Sequence, residues 1–490
     1  MEKATLLLGL DLGTSGVKAG IFDTNGRRLA SKEAYYKTTS PRPGWMEQDP
    51  EEWWTACAGA IKDVAGCVDS SQIRAISVSG QSPCLVCIDD SGSPVRAASL
   101  WSDQRAAAEG VEVAQRLGSI ASFSLLPRLL WLKRNEPVEY HRTRWVLDSF
   151  EYINFKLTGQ VASIATSGLT PSLTARHIGA IALEPEKFPA QSYRLGDVLG
   201  SVAPEVARKL DLPEELPVIA GTIDAFAAWI GTATTSKGQL CNTAGTSEGI
   251  AVVWDQALTD PQMRAVSIPH ITGQGWIVGG AMSSGGIMLD WFVREFYKHT
   301  DQPYAAAVND ASLVPTGAEG LLALPYLVGE RSPILDPEAR SVFFGISERH
   351  SRAHFARAVL ESIAFALRDV CEVIREMGAE VTEVRVAGGG ARNDVLNQIK
   401  ADVLGLPVFV PEIHESGQLG TAIIAGWGIG CFVSLSEAAQ SMVKFRSAFE
   451  PRAEKHSSYT ELFTLYRRLY EHLKRDFGLL ARLSKTLPTH

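Results

Sequence analysis

The stretch Leu6-Leu-Leu-Gly-Leu-Asp-Leu-Gly-Thr-Ser-Gly-Val-Lys-Ala-Gly-Ile-Phe22 decides how this chain is read. Leu6 to Asp11 is an apolar run suited to a strand. Gly13 to Gly16 is a tight turn, and Val17 to Phe22 is a second strand. Asp23, Asn25 and Gly26 then supply a further hairpin turn. The same order returns later, with Leu240 to Thr243 as strand, Gly245 to Gly249 as turn and Ile250 to Trp254 as strand. Gly13-Thr14-Ser15 reappears as Gly245-Thr246-Ser247, 232 residues on, in a chain of 490. A spacing close to half the length predicts a duplicated β-turn-β unit. A chain this long also exceeds one ordinary hydrophobic core, so two domains are expected.

Outward from these hairpins the pattern alternates. Asp49, with Pro50 behind it and Glu52 three residues on, is a helix N-terminus. Ile73 to Ser79 and Cys84 to Ile88 read as strands. Val218 to Ala220 reads as a short buried strand, followed by Gly221 and a helix of small residues from Ala225. In the second half, His354 to Met377 has helical apolar spacing and Val384 to Val386 is a strand. Gly388-Gly389-Gly390 follows, then a helix from Asn393, and Tyr459 to Leu480 is a C-terminal amphipathic helix. The class is mixed α/β, and each domain is expected to bury a sheet between helices. The boundaries are set at 1–235 and 236–490, with the last helix free to pack back on the first domain.

Composition narrows the function classes. Apolar residues make up 45% and charged residues 21%, and the net charge is -8. That leaves no basic footprint for nucleic acid and no polybasic patch for an anionic membrane. No apolar run is long enough to span a membrane, and the N-terminal run lacks the basic start of a leader. Seven scattered cysteines suit a reducing cytoplasm. Cys84 and Cys87 form a CxxC without a second pair nearby, which reads as buried thiols.

Phosphate binding needs several N–H donors converging on one point, and tight Gly/Thr/Ser turns supply them. The chain has two such hairpin turns and a third turn, Gly388 to Gly390, at a helix start. Asp11 stands directly before the first turn, where a carboxylate can hold magnesium beside phosphates or simply stabilise the turn. Asp224 stands at a helix start, where it can be an N-cap or point into a cleft and accept a hydroxyl proton. The P-loop, the protein-kinase motif set and the dinucleotide GxGxxG are absent. Gly245-Thr246-Ser247-Glu248-Gly249 fits the GxSxG of hydrolases in letters. Its following run, Ile250 to Trp254, suits a strand where that motif needs a helix.

These residues resemble the FGGY carbohydrate kinases nearly end to end. Leu8 to Lys18 resembles the family's first phosphate motif, and Leu240 to Ser247 its second. Leu100-Trp-Ser-Asp-Gln-Arg105 is similar to its sugar-side segment, and Val386 to Asn393 to its adenosine motif. Ser341 to Ile346, with His354 to Glu361, is similar to its C-terminal signature. The resemblance implies two actin-like, ribonuclease H-like domains with the active site in the cleft between them. It implies ATP and Mg2+, with the γ-phosphoryl group passing to a hydroxyl of a small sugar, ketose or polyol.

Carried over by motif, Asp224 would be the general base and Asp11 the magnesium ligand. Thr14, Gly245 and Thr246 would face the phosphates, Ser15 and Gly286 would lie against the nucleotide, and Gly389, Gly390 and Asn393 would cradle the adenosine. Gln81, Ser82, Pro83, Trp101, Asp103 and Asp224 would meet the sugar. Gly44 to Trp54 is most similar to xylulokinases, so a xylulose-like ketopentose is the first expectation. Gluconate, ribulose, erythritol and glycerol are the alternatives. A non-catalytic actin-like ATP binder is the alternative of another class. Departures fall on the sugar side: Ser82-Pro83 stands where xylulokinases have Met-His, Ala225 follows the aspartate where Asn or Gln is common, and Arg128 stands where Lys is usual. The family also suggests a cytoplasmic enzyme and a homodimer.

Overall fold

The computed structural model describes residues 5–165 and 175–484. The chain divides into two compact units. The first holds the residues up to Ala233, joined by Ile271–Gly273 and Glu415–Lys444. The second holds Thr234–His270, Gln274–His414 and the chain from Phe445 onward.

The first unit is built on a six-stranded sheet. Its strands are β1 (Leu6–Leu12), β2 (Gly16–Asp23), β3 (Arg28–Tyr35), β4 (Ile73–Gly80), β5 (Val198–Ser201) and β6 (Pro217–Ile219), in the order β5-β6-β4-β1-β2-β3. β1, β2 and β3 form an antiparallel meander. β4 and β6 then add in parallel to β1, and β5 closes the edge antiparallel. β1 is buried almost throughout, because helices cover both faces of the sheet. The Pro50–Ala65 helix packs on β2 and β3, and the Ser416–Gly428 helix on β1 and β4. Asp49 caps the former as expected, accepting the Glu51 amide at 2.9 Å.

The Ser416–Gly428 helix also crosses the Asp224–Gly231 helix. The crossing is glycine on glycine: a Cβ on Gly420 would collide with the Ala227 carbonyl, and one on Gly231 with the Ser416 carbonyl. A separate apolar cluster around the Leu126–Asn135 helix supports the segment that carries Trp101.

The second unit repeats the plan. β7 (Gln239–Ala244), β8 (Glu248–Trp254), β9 (Val266–Pro269), β10 (Trp276–Met282), β11 (Glu383–Ala387), β12 (Val408–Pro411) and β13 (Phe445–Phe449) run in the order β9-β10-β8-β7-β11-β12-β13. From β10 inward the polarity is again antiparallel, antiparallel, parallel, parallel, antiparallel. The duplication read from Gly13-Thr14-Ser15 and Gly245-Thr246-Ser247 is therefore one of whole sheets. Because Ile250 to Trp254 is strand β8, the hydrolase elbow is excluded.

The last helix, Ala453–Ser484, belongs to the second unit. Tyr459, Phe463 and Tyr466 on its apolar stripe stack around Phe365 of the Arg352–Glu376 helix, inside the core of the second unit. The segment that returns to the first unit is Glu415–Lys444.

Cys84 and Cys87 are buried and unpaired, as read from the sequence.

Candidate active site

In open α/β sheets, ligands gather at the carboxyl ends of parallel strands. In the first unit those ends belong to β1, β4 and β6, and they carry Asp11, Ser79 to Gln81, and Thr222 to Asp224. Register places Ser79 beside Asp11 and Lys18 across from it. Ser79 Oγ donates to Asp11 Oδ1 at 2.6 Å. Burial raises the proton affinity of Asp11 above the ordinary carboxylate range, while the Ser79 bond and the Lys18 charge oppose the rise. On the other side stands Gly417, where a Cβ would run into the Asp11 carboxylate. The duplicated position in the second unit is Thr243, whose hydroxyl takes the Gly249 amide at 3.0 Å. Of these two matched positions, only the first holds a carboxylate.

Gly80 N donates to the Thr222 carbonyl at 3.1 Å, which lays the start of the next helix against the end of β4. Asp224 is the first residue of that helix, and Ile223 holds the N-cap position. The capping role open in the sequence is thus not the one adopted. Asp224 Oδ1 accepts the neighbouring Ala225 amide at 2.7 Å. Burial first, then the Asp11 charge, push its proton affinity up to about 7; the Ala225 amide opposes this and Asp148 adds to it.

The turn after Asp11 is tied by Gly13 N to the Gly16 carbonyl at 3.0 Å, and Tyr36 donates its hydroxyl to the Gly13 carbonyl. Thr14 and Ser15 are exposed at its tip. The Thr14 carbonyl accepts Gln48 Nε2 at 2.7 Å, and its hydroxyl accepts Trp101 Nε1 at 3.3 Å. Gln81 Nε2 donates to Gln48 Oε1 at 2.8 Å, while Gln81 Oε1 is buried without a hydrogen-bond partner. Ser82 Oγ donates to Asp148 Oδ2 at 2.5 Å. Asp148 also takes the Cys84 and Ser149 amides, and burial lifts its proton affinity to about 6 despite them.

Asp103 is held within its own loop. Its side chain is 0% exposed, and its oxygens accept from the Met46 amide and from Arg105, so it holds the loop that presents Trp101. Arg128 supports the same loop through the Trp101 carbonyl at 2.8 Å. Ser79, Gln48, Tyr36, Asp148 and Gly417 were not singled out in the sequence. Only Asp148 had a readable signal, a capping box with Glu151 at the Ser149–Thr158 helix.

In the second unit, Gly245, Thr246, Gly286, Gly389, Gly390 and Asn393 line a single cleft of about 970 Å3. All six had been read from the sequence as nucleotide contacts. The Gly286 amide donates to the Gly245 carbonyl at 2.8 Å and the Ile287 amide to the Thr246 carbonyl at 2.9 Å. A Cβ on Gly286 would strike that Gly245 carbonyl. Glu330 braces the preceding turn by accepting the Ser283 and Ser284 amides. Asn393 caps the Asp394–Leu404 helix by accepting the Leu396 amide at 3.0 Å, and its Nδ2 has no hydrogen-bond partner. Leu289, Val308 and Ile363 give the cleft an apolar wall, and Tyr304 donates to Asp290 at its rim. Small-residue turns beside an apolar wall suit a nucleotide, phosphates on the former and base on the latter.

Among the described residues no group of three or more His, Cys, Asp or Glu side chains could hold a metal, and no helix is long and apolar enough to cross a membrane.

Comparison with known proteins gives a consistent answer. The N-terminal domain model of the FGGY family of carbohydrate kinases matches residues 6–231, and its C-terminal domain model matches residues 240–429. The chain is 31% identical over 489 residues to a xylulose kinase of Bacillus subtilis, covering 96% of this chain and 97% of that one. It is 27% identical over 513 residues to a gluconokinase of the same organism, covering 99% of each. A gluconate kinase structure and a ligand-bound xylulose kinase structure, both from Lactobacillus acidophilus, each superimpose with a TM-score of 0.86 at 25% identity, covering 97% of this chain and all of theirs. The matched models span most of the sequence, and both units have the sheet the family reading expects, so the chain belongs to the FGGY family of carbohydrate kinases and is a sugar kinase.

Proposed function

We propose that this sugar kinase transfers the γ-phosphoryl group of ATP to a hydroxyl of a small ketopentose of the xylulose kind, with Asp224 as general base. The state of Asp224 carries the assignment: it opens a helix at the strand ends, its hydrogen-bonded partner is a neighbouring amide, and its proton affinity lies at about 7. A base tuned to neutrality is half ready at working pH and still strong enough to take a hydroxyl proton.

ATP occupies the cleft of the second unit, its phosphates on the Gly245-Thr246 turn and Gly286, its adenosine beside Gly389, Gly390 and Asn393. Thr14 and Ser15 offer donors to the phosphoryl group in transfer. Asp11 fits magnesium, because an ion that keeps waters and takes phosphate oxygens needs only one or two protein carboxylates. Gly417 leaves room at that carboxylate. Magnesium bound there would neutralise phosphate charge, while Asp11 would fix its place and Ser79 would orient Asp11. The transition state is loose, so positioning and electrostatics provide most of the acceleration.

On the sugar side, Gln81 offers an unused acceptor, and Ser82, already donating to Asp148, presents its lone pairs. Trp101 and Pro83 supply the walls, and Asp103 acts through the loop. The relatives named xylulose kinase support the ketopentose. Those named gluconokinase support gluconate as the second reading. The free cysteines favour a cytoplasmic location, and a homodimer follows from the family resemblance.

The test is ADP release with magnesium and ATP against xylulose, ribulose, gluconate, erythritol and glycerol. Xylulose should stimulate it most. A dominant gluconate signal would replace the substrate, and stimulation unchanged in Asp224→Ala would remove the base.

A further inference from the structure

Beneath the phosphate turn of the second unit lies an ion pair with almost no access to water. Lys400 is 0% and Glu248 2% exposed at the side chain. Lys400 Nζ stands 3.3 Å from Glu248 Oε2 and donates to Asn242 Oδ1 at 2.6 Å. Asn242 Nδ2 donates to Glu248 Oε2 at 2.7 Å, which closes the triangle. Glu248 itself lines the nucleotide cleft, directly after Gly245-Thr246-Ser247. Lys400 lies two turns into the helix that Asn393 caps. The three residues therefore join the phosphate turn, the strand before it and the adenosine helix.

A carboxylate beside a triphosphate site is a liability. Phosphate-binding turns work by offering N–H donors in a setting without negative charge, and a buried carboxylate acts on its neighbours with little screening. Replacing a buried ion pair by neutral residues of similar shape is tolerated, whereas removing one partner leaves an uncompensated charge.

We propose that Lys400 is a positioning residue of the nucleotide site that acts through Glu248, holding that carboxylate turned away from the phosphates and cancelling its charge. The inference rests on ATP occupying this cleft. It makes the site's preference for phosphorylated over unphosphorylated adenosine depend on the net charge of the pair. A purely structural role would alter adenosine, ADP and ATP alike.

The experiment measures dissociation constants of adenosine, ADP and ATP, without magnesium, by calorimetry. Wild type, Lys400→Met, Glu248→Gln and the double variant are compared. The preference for ATP over adenosine should be greatest in Glu248→Gln. Wild type and the double variant should match each other within about threefold below it, and Lys400→Met should be about tenfold weaker than both. ADP should fall between. Where Lys400→Met fails to fold, the double variant must still show a lower preference than Glu248→Gln. An equal preference in every folded variant, or a double variant as poor as Lys400→Met, overturns the proposal. Wild type that binds no ATP removes instead the nucleotide assignment on which it rests.

Discussion

The charge of Asp11 raises the proton affinity of Asp224, and burial adds the larger part, to about 7. Both residues stand at strand ends of one sheet, Asp11 on β1 and Asp224 just after β6. The two carboxylates have separate supports: Ser79 holds Asp11, and the Ala225 amide meets Asp224. Like charges in one pocket push their affinities apart, and such a pair divides naturally into a metal-holding group and a base.

A pH dependence follows. The base must be unprotonated, so kcat/KM for the nucleotide should rise with pH on an acid limb centred near 7. Magnesium held at Asp11, as proposed, would lower the proton affinity of Asp224, so the limb in kcat, with magnesium-ATP saturating, should lie at lower pH. Steady-state profiles at both extremes of nucleotide concentration check this. A flat profile from pH 5 to 8 would contradict it.

Ser82 donates its proton to Asp148 at 2.5 Å, which leaves its lone pairs free to accept from a sugar hydroxyl in the proposed site. Ser82→Ala should raise KM for the sugar about tenfold, the worth of one lost hydrogen bond, and leave the Kd for ATP unchanged. Ser82→Met with Pro83→His should reorder the substrate profile. Sugar kinetics with the same panel for both variants check it.

The crossing of the Asp224–Gly231 and Ser416–Gly428 helices leaves no room for a methyl group. Gly420→Ala should destabilise the protein by about 1–3 kcal/mol, since added volume forces two backbones apart. Activity should fall as well, because the crossing helix begins with Asp224. Urea unfolding and turnover of the same variant check both. A variant as stable and active as wild type would mean the helices slide freely.

Much of this was legible in the sequence, for identifiable reasons. The turns at Gly13 and Gly245 are local signals, and their repetition identified two sheets of one plan. The residues expected to meet the nucleotide are short Gly-rich turns, and all six of those in the second unit line one cleft. What escaped was long-range. Ser79 reaches Asp11 through strand register, Asp148 reaches Ser82 across 66 residues, and Gly417 approaches Asp11 through helix packing. None of these pairings leaves a periodicity or a motif. The bonds that Asp103 makes to Arg105 and to the Met46 amide were likewise not legible, since its segment marks it as polar without showing what it holds. The stacking of the last helix around Phe365 was not legible either, because an apolar stripe shows that a helix packs without showing on what.

The central claim is that Asp224 takes the proton of the attacking hydroxyl. The most direct measurement compares turnover with xylulose and ATP affinity in Asp224→Ala. The account predicts turnover reduced about 10²–10⁴-fold in a variant that still binds ATP, since the residue acts on the hydroxyl proton in the transition state. Turnover near wild type in a variant that binds ATP normally would contradict it.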